Sequence, residues 1–445
     1  MAGELKSRRP HIGIFGRVNA GKSSFMNMVA GQDVSIVSSS AGTTTDIVEK
    51  SMELPPLGAV VLMDTAGLDD PTALGPQRLE RTMRALSRSD IALLVAESGI
   101  WSSSEEDFVQ LCHKRNLPLI LVINKTDLCR PDSKWIEKAG KGCGALMLRS
   151  LRFSRGEESS GGAAGAADSG ADSDSDAARD ACLKELERCL VAVSPAGLIE
   201  QPSILAGLLP ASADLPLVVL VTPIDREAPK GRLIGPEAQT IRDCLDNEAA
   251  ALAVQLEGYP ALLSSLNRRP DLVVGDSQIV QALVAATPPE IPCTTFSILF
   301  SRLKGDIVEM ARGAAVLGSL RPGDRVLVAE ACTHHPIEGD IGKTKIPRWI
   351  EQHCGPGIKI EHCAGADFPA GLDSFRLILH CGSCMLTRRE TLSRIEKARA
   401  AGTAITNYGM TISVLQNAAE RTLSPFPEAL SAYREALNRR EEGGR

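Results

Sequence analysis

Residues 16 to 23, Gly-Arg-Val-Asn-Ala-Gly-Lys-Ser, fit the phosphate loop G-x-x-x-x-G-K-S/T, with an apolar strand pattern before them and a helix pattern after. Such a loop uses the backbone around Gly16, Asn19, Ala20 and Gly21 and the helix N-terminus to cradle phosphates. Lys22 then reaches the β and γ oxygens, the Ser23 hydroxyl holds magnesium, and Ser24 completes the turn. Asp64-Thr65-Ala66-Gly67 follows the run AVVLM, which puts a carboxylate at a strand end for the magnesium shell and offers the Gly67 N–H to a γ-phosphate. Asn124-Lys125-Thr126-Asp127 follows LILVI, and Asp127 can accept from the N1–H and the exocyclic amine of guanine. Adenine would leave that carboxylate unpaired, so the expected nucleotide is GTP. Ser194 and Ala196 in AVSPAG are weaker candidates for the remaining base wall. Between the loop and Asp64 lies AGTTTD, where a switch segment must bring a threonine to magnesium and the γ-phosphate; Thr44 is the first choice and Thr43 the next. Lys22, Thr44, Asp64 and Gly67 form the expected catalytic set. Leu68 cannot orient a water as glutamine would, so charge must come from elsewhere.

A second constellation lies near the C-terminus. Of twelve cysteines and seven histidines, Cys332, Cys354, Cys363, Cys381 and Cys384 and five of the histidines fall between residues 332 and 384. Cys332-Thr333-His334 follows the run RVLVAEA, and His380-Cys381-Gly382-Ser383-Cys384 follows FRLIL. Two ligand groups at the ends of two strands can converge, and C-x-x-C lets one turn present both sulfurs to one metal centre. Zinc and iron-sulfur chemistry both accept such ligands, and spacing does not decide between them. Cys354 and Cys363 read as buried or free thiols. Lys343, Lys345, Arg348, Arg388 and Arg389 flank the constellation, either as a solvated face or as cations for an anionic ligand.

These residues need strands to hold them. Short apolar runs at 11–15, 59–63, 91–96 and 119–123 alternate with helix-like polar stretches, the rhythm of a doubly wound, mainly parallel α/β sheet. Residues 154–180, SRGEESSGGAAGAADSGADSDSDAARD, carry no aromatic residue and no apolar side chain larger than Ala, and are expected to form a disordered acidic insertion. The helix and strand expected from ACLKELERCLVAVS would complete the first domain, 1–211. LPLVVLVTPID, a helix through PEAQTIRDCLDNEAA, and DLVVGDSQ suggest a small α/β domain at 212–288. CTTFSILF, RVLVAEAC, FRLILHC and AITNYG suggest a third, at 289–445.

Length and composition narrow the class. The 445 residues are enough for two to four domains, and 43% hydrophobic with 23% charged residues is an ordinary foldable composition. A net charge of -6 and 3% aromatics leave little for polyanion attraction or base stacking, so neither nucleic acid nor membrane is an expected partner. No apolar run reaches a membrane span, and no leader pattern opens the chain. A reducing, cytoplasmic setting is expected, with an organelle open.

The nucleotide motifs and AGTTTD resemble GTPases of the Era and tRNA-modification type. In those, an asparagine at the position of Asn19 helps hold a potassium ion that substitutes for an arginine finger, so the resemblance implies K+ activation. A GTPase domain followed by C-x-H and H-C-x-x-C, with residues 335–379 between, resembles the FeFe-hydrogenase maturation GTPases, the HydF family. TPIDREAPKGRLIGPEAQTIRDCL, CTHHPIEGDIGKTKIPRW and HCGSCMLTRRE carry the likeness over most of the chain. It implies a GTPase domain, a dimerisation domain and an iron-sulfur cluster-binding domain in a homodimer. A 4Fe-4S cluster would be held by Cys332, Cys381 and Cys384, with the fourth position left to His334, His380, a carboxylate or solvent. It further implies a scaffold that takes a diiron precursor from radical-SAM maturases and delivers it to apo-hydrogenase, with GTP hydrolysis as a switch. An RNA-modification or ribosome-assembly GTPase with a structural zinc domain is the alternative. The insertion has no counterpart in the family pattern.

Overall fold

The computed structural model describes residues 9–30, 48–54, 57–65, 67–68, 75–148, 171–195, 198, 203–211, 214–224, 233–331, 341–365, 368–383 and 386–443. They form two compact units, one spanning 9–201 and one from 202 onward.

The first unit is built on six strands: β1 His11–Phe15, β2 Val48–Glu53, β3 Ala59–Asp64, β4 Ile91–Glu97, β5 Leu119–Asn124 and β6 Ala145–Leu148. Their order is β2-β3-β1-β4-β5-β6; only β2 runs antiparallel to its neighbour. Successive residues of β4 and β5 point to opposite faces, and both faces are covered. Leu93, Val95, Ile120 and Val122 pack in one core with Phe25 and Met26, while Leu94, Ala96, Leu121 and Ile123 pack in the other with Phe108. That is why these strands read as unbroken apolar runs, each buried Val, Leu or Ile contributing roughly 1.5–3 kcal/mol.

Two expectations for this unit are corrected. The strand expected after the insertion is not there: Ala171–Val193 is a single helix, and the sixth strand, β6, precedes the insertion. Cys182, Leu186, Cys189 and Leu190 recur at helical spacing and are all buried. The helix also takes in residues 171–180, which were expected to be disordered. Alanine has high helix propensity, the aspartates at 172, 174 and 176 suit a helix N-terminus, and Arg179 donates to the carbonyls of Met28 and Val29 at 3.1 and 3.4 Å. The rest of the insertion, 154–170, lies outside the described residues.

The second unit carries two four-stranded parallel sheets. One contains β7 Leu217–Val221, β8 Ala250–Val254, β9 Leu272–Gly275 and β10 Cys293–Thr295, in the order β10-β9-β7-β8. The other contains β11 Arg325–Glu330, β12 Lys359–Ala364, β13 Leu377–His380 and β14 Ala404–Asn407, in the order β12-β11-β13-β14. One apolar core runs through both, from Val218 and Leu272 to Val328 and Ile378. The strand β10 belongs to the first of these sheets, beyond the expected boundary at 288. CTTFSILF is mainly a helix, Phe296–Lys304, whose N-cap Thr295 accepts from the Ile298 N–H. LPLVVLV contains β7, which is paired on both sides, by β8 and β9. The edge on that side is β8.

Among the described residues no helix is long and apolar enough to cross a membrane.

Candidate functional site

In the first unit the nucleotide motifs meet at the C-terminal ends of β1, β3 and β5, where parallel sheets place their ligand crevices. Ile14 pairs with Asp64, so the loop leaving β1 passes directly over the end of β3. The helix Lys22–Ala30 starts from that loop and has no acidic residue in its first turn, leaving its N-terminus suited to an anion. Ser23 Oγ donates to Asp64 Oδ2 at 2.6 Å. Asp64 Oδ1 is buried with no hydrogen-bond partner. Burial raises the Asp64 pKa, against the lowering effects of the Ser23 hydrogen bond, Lys22 and the Thr65 backbone. A hydroxyl and a carboxylate with an orphaned oxygen on one spot are a hard-oxygen donor set that fits magnesium. Lys22 is buried, and its Nζ donates to the Arg17 carbonyl at 2.8 Å.

The guanine motif is clasped to the phosphate loop. Asn124 Nδ2 donates to the Ala20 carbonyl at 2.9 Å, and its Oδ1 is buried without a partner. Gly21 has φ +98° and leaves no room for a side chain, since a Cβ would lie 2.2 Å from Asn124 Nδ2. Gly67 closes the other side: a Cβ there would lie 2.9 Å from the Val18 nitrogen, and the next residue, Leu68, donates its N–H to the Gly16 carbonyl at 3.0 Å. Asn19 has φ +62° and is exposed in the loop; Ser24 is exposed on the helix. Lys125, also in the left-handed region at φ +59°, pairs with Glu97 at 2.7 Å. Asp127 is exposed beyond the end of β5. Ser194, at the end of the helix Ala171–Val193, has a buried Oγ without a partner. Thr43, Thr44, Ala66 and Ala196 lie outside the described residues.

In the second unit the two halves of the cysteine constellation issue from neighbouring strands. β11 and β13 are parallel partners, with Ala329 opposite His380. Cys381 N–H donates to the Ala329 carbonyl at 3.0 Å, and the Ala331 N–H donates to Cys381 Sγ at 3.2 Å. Burial pushes the Cys381 thiol up, opposed by backbone hydrogen bonds and Arg394. Cys332, His334 and Cys384 lie outside the described residues, and among the described residues no three His, Cys, Asp or Glu form a metal-holding group. A partly buried cysteine whose sulfur accepts an amide hydrogen bond, one residue past a parallel strand, is a donor that fits a soft metal centre. Cys363 sits on β12 opposite Ala329, and Cys354 Sγ is turned onto the Leu317 carbonyl at 3.2 Å.

His380 is fully buried, and both its ring nitrogens are engaged. Arg394 Nη1 lies 3.0 Å from Nε2, and Nδ1 lies 2.8 Å from the Cys381 carbonyl. A guanidinium can only donate, so Nε2 accepts and Nδ1–H donates to the carbonyl. Burial and then Arg394 push the His380 pKa down to about 3. In this arrangement His380 offers no lone pair to a metal. Sequence reasoning missed Arg394 and Lys304, which support this segment from residues distant in the chain; the only local signal was T-R-R-E at 387–390. That tetrapeptide is a capping box, with Glu390 N–H on Thr387 Oγ1 at 3.1 Å and Thr387 N–H on Glu390 Oε2 at 2.8 Å.

Comparison with known proteins divides the chain in the same way. A family model described as "50S ribosome-binding GTPase" matches residues 11–125. One described as "Hydrogen maturase F dimerization domain" matches 205–305, and one described as "Hydrogen maturase F tetramerization domain" matches 308–425. The chain is 39% identical over 131 residues to GTPase Der of Wolinella succinogenes, covering 28% of each chain. It is 42% identical over 136 residues to the tRNA modification GTPase MnmE of a Synechococcus species, covering 29% of this chain and 28% of that one. The chain thus spans less than a third of the length of either relative. The solved structure of Aquifex aeolicus Era bound to GDP and AlF4- is 28% identical, covering 32% of this chain and 50% of that one, at a TM-score of 0.27.

Proposed function

Because the chain belongs to the hydrogen maturase F family, we propose that it is a GTP-hydrolysing scaffold that binds a 4Fe-4S cluster and carries the diiron precursor of the FeFe-hydrogenase active site. The precursor would come from the radical-SAM maturases and pass to apo-hydrogenase, in a reducing compartment such as the cytoplasm. The observation that carries this reading is the pairing of β11 with β13. It brings the strand two residues before Cys332 beside the strand that delivers Cys381, with an amide already aimed at the Cys381 sulfur. Cys332, Cys381 and Cys384 would supply thiolates, and the fourth position falls to His334, a carboxylate or solvent. A cluster held there would offer an iron with a replaceable ligand, beside which a precursor can bind. The test is the full chain purified without oxygen: iron and acid-labile sulfide in equal amounts support the reading, and zinc alone removes it.

At the nucleotide site, Lys22 would leave the Arg17 carbonyl for the β and γ oxygens of GTP. Ser23 and Asp64 would hold Mg2+, and Thr44 or Thr43 would close over it. Asp127 would read the guanine edge, with Lys125, Ser194 and Ala196 around the base. With Leu68 following Gly67, the resemblance to Era-type GTPases assigns the charge that speeds hydrolysis to a potassium ion at Asn19, which has φ +62° and is exposed in the loop. Replacing potassium by sodium is therefore expected to slow GTP turnover at least about tenfold, within the range of a lost transition-state charge. Phosphate release in the two salts at equal ionic strength checks this; equal rates would rule out K+ as an activator.

Oligomerisation would run through the region around the first four-stranded sheet of the second unit. Its edge strand β8, Ala-Ala-Leu-Ala-Val, is made of small and apolar residues, half-buried except for the exposed Ala253, and lacks the charges that usually guard an edge. Ala253→Lys is expected to lower the oligomer mass measured by light scattering at micromolar concentration, with GTP hydrolysis unaffected. An unchanged mass would move the interface elsewhere.

A further inference from the structure

We propose that Glu97 is a positioning residue of the guanine site, its carboxylate pinning Lys125 so that the lysine stem is already in place as a wall for the base. The proposal rests on the guanine-site reading above and adds a residue that none of the nucleotide motifs contains.

Glu97 is the last residue of β4, and the register sets it opposite Asn124, the last residue of β5. Lys125 therefore stands one residue past the strand end, where its Nζ donates to Glu97 Oε2 at 2.7 Å. Its φ of +59° is a left-handed conformation that a β-carbon makes costly, so the surroundings must hold it. Part of that hold is local. The Lys125 carbonyl accepts from the N–H groups of Leu128 and Cys129 at 3.0 and 3.3 Å, closing a turn that carries Asp127.

The rest comes from the loop after β4, which is fitted to that turn. Ser98 N–H donates to the Asn124 carbonyl at 2.9 Å, and a Cβ on Gly99 would lie 3.0 Å from Cys129 Sγ. The phosphate loop crosses the ends of the same two strands. Asn124 Nδ2 holds the Ala20 carbonyl, and a Cβ on Gly16 would lie 2.2 Å from the Val95 carbonyl. The ion pair of Glu97 and Lys125 thus joins two strand ends that between them carry the phosphate loop and the Asp127 turn.

The pair does little for the fold. Its side chains are 33% and 29% exposed, and ion pairs open to water add little net stability. Its effect is to fix a long side chain. A free lysine samples many rotamers, and ordering it when a nucleotide arrives would be taken from the binding energy. Held at its head by Glu97, the stem is ordered beforehand and offers methylene groups to a flat ring. The carboxylate balances the ammonium, so what Lys125 brings is contact with the base and not attraction to phosphate. Contact with the base is the same before and during phosphoryl transfer, so its loss raises KM and leaves kcat alone.

The experiment measures GTP hydrolysis by the full chain as wild type, Glu97→Gln, Glu97→Asp, Lys125→Met, and Glu97→Gln combined with Lys125→Met. Glu97→Gln is expected to raise KM for GTP about tenfold with kcat within about twofold of wild type, a split that a merely structural role would not produce. Lys125→Met is expected to raise KM by about the same factor, and the double variant to match either single one, because all three lose one and the same tie. Glu97→Asp is expected to fall between wild type and Glu97→Gln. A KM for GTP in Glu97→Gln at or below the wild-type value overturns the proposal, as does a fall in kcat alone, or a double variant in which the two effects multiply. Should Glu97→Gln not fold, Glu97→Asp decides: a raised KM at unchanged kcat supports the proposal and a wild-type KM overturns it. A wild type with equal KM for GTP and ATP reads no guanine, which fails the site reading itself, and the proposal falls with it.

Discussion

Lys22→Ala is expected to lower GTP turnover by on the order of 10³-fold or more, with the fold intact. The side chain is buried, and its amino group rests on the Arg17 carbonyl within the phosphate loop. That contact is local and weak in net terms, about 1 kcal/mol for a typical hydrogen bond, so its loss leaves the sheet and both its cores standing. With GTP in place the same nitrogen is the loop's own cation for charge that builds up between the β and γ phosphates. Alanine leaves that charge to the backbone alone. Arginine is no remedy, because a planar fork does not fit where a compact point charge is required. Phosphate release at saturating GTP, beside a thermal melt of the variant, separates lost chemistry from lost structure. A residual rate within tenfold of wild type would show that the cation comes from elsewhere. Asp127→Asn has a different signature: its carboxylate is exposed and far along the chain from Lys22, so the variant is expected to lose preference for GTP over other nucleotides while the phosphate cradle stays intact.

The strands that were legible in the sequence are mostly those with a neighbour on each side. β1, β3, β4, β5, β7, β9, β11 and β13 are interior, and each is a short apolar run, because both faces and both edges are covered. The ones that escaped are β2, β6, β8 and β12, all at sheet edges. β2 reads Val-Glu-Lys-Ser-Met-Glu and β12 reads Lys-Ile-Glu-His-Cys-Ala, sequences whose exposed positions take charge and so lose the apolar signal. The phosphate loop was legible for the opposite reason, since its chemistry is contiguous: Gly16 to Ser23 must be neighbours to wrap one ligand. The clasp between Asn124 and Ala20 spans 104 residues and has no local signature, though each of its ends lies in a recognisable motif. Arg394 had neither advantage. It stands 14 residues after His380 in an ordinary polar helix, and only the packing of that helix under the strand ends brings its fork to the imidazole.

Serine at Cys332, Cys381 or Cys384 is expected to remove most of the iron and sulfide from the anaerobically reconstituted chain, while serine at Cys354 or Cys363 is expected to retain it. The argument is firmest at Cys381. Its backbone is pinned at both ends, by the Ala329 carbonyl on its N–H and by His380 on its own carbonyl, so the sulfur is delivered to one place. The Ala331 amide at 3.2 Å points a donor at that sulfur, which favours a thiolate, while burial pushes the free thiol up. A soft cation that binds there displaces the proton and turns an unfavourable burial into a bond. Serine keeps the position and loses the chemistry, because its oxygen is hard and does not ionise at neutral pH. Cys354 differs in kind, since its thiol already donates to the Leu317 carbonyl from the end of the helix Ile346–Cys354. Cys363 is the closer rival: it lies on β12, opposite Ala329, which the register also sets opposite His380. Its thiol is pushed up by burial, with Arg394 opposing and Cys381 adding to the rise, so it shares the neighbourhood without lying in either ligand motif. Iron and sulfide assays on the five variants decide the set. Equal loss at Cys363 and Cys381 would bring β12 into the site, and full retention at Cys332, Cys381 and Cys384 would leave the constellation without a cluster to hold.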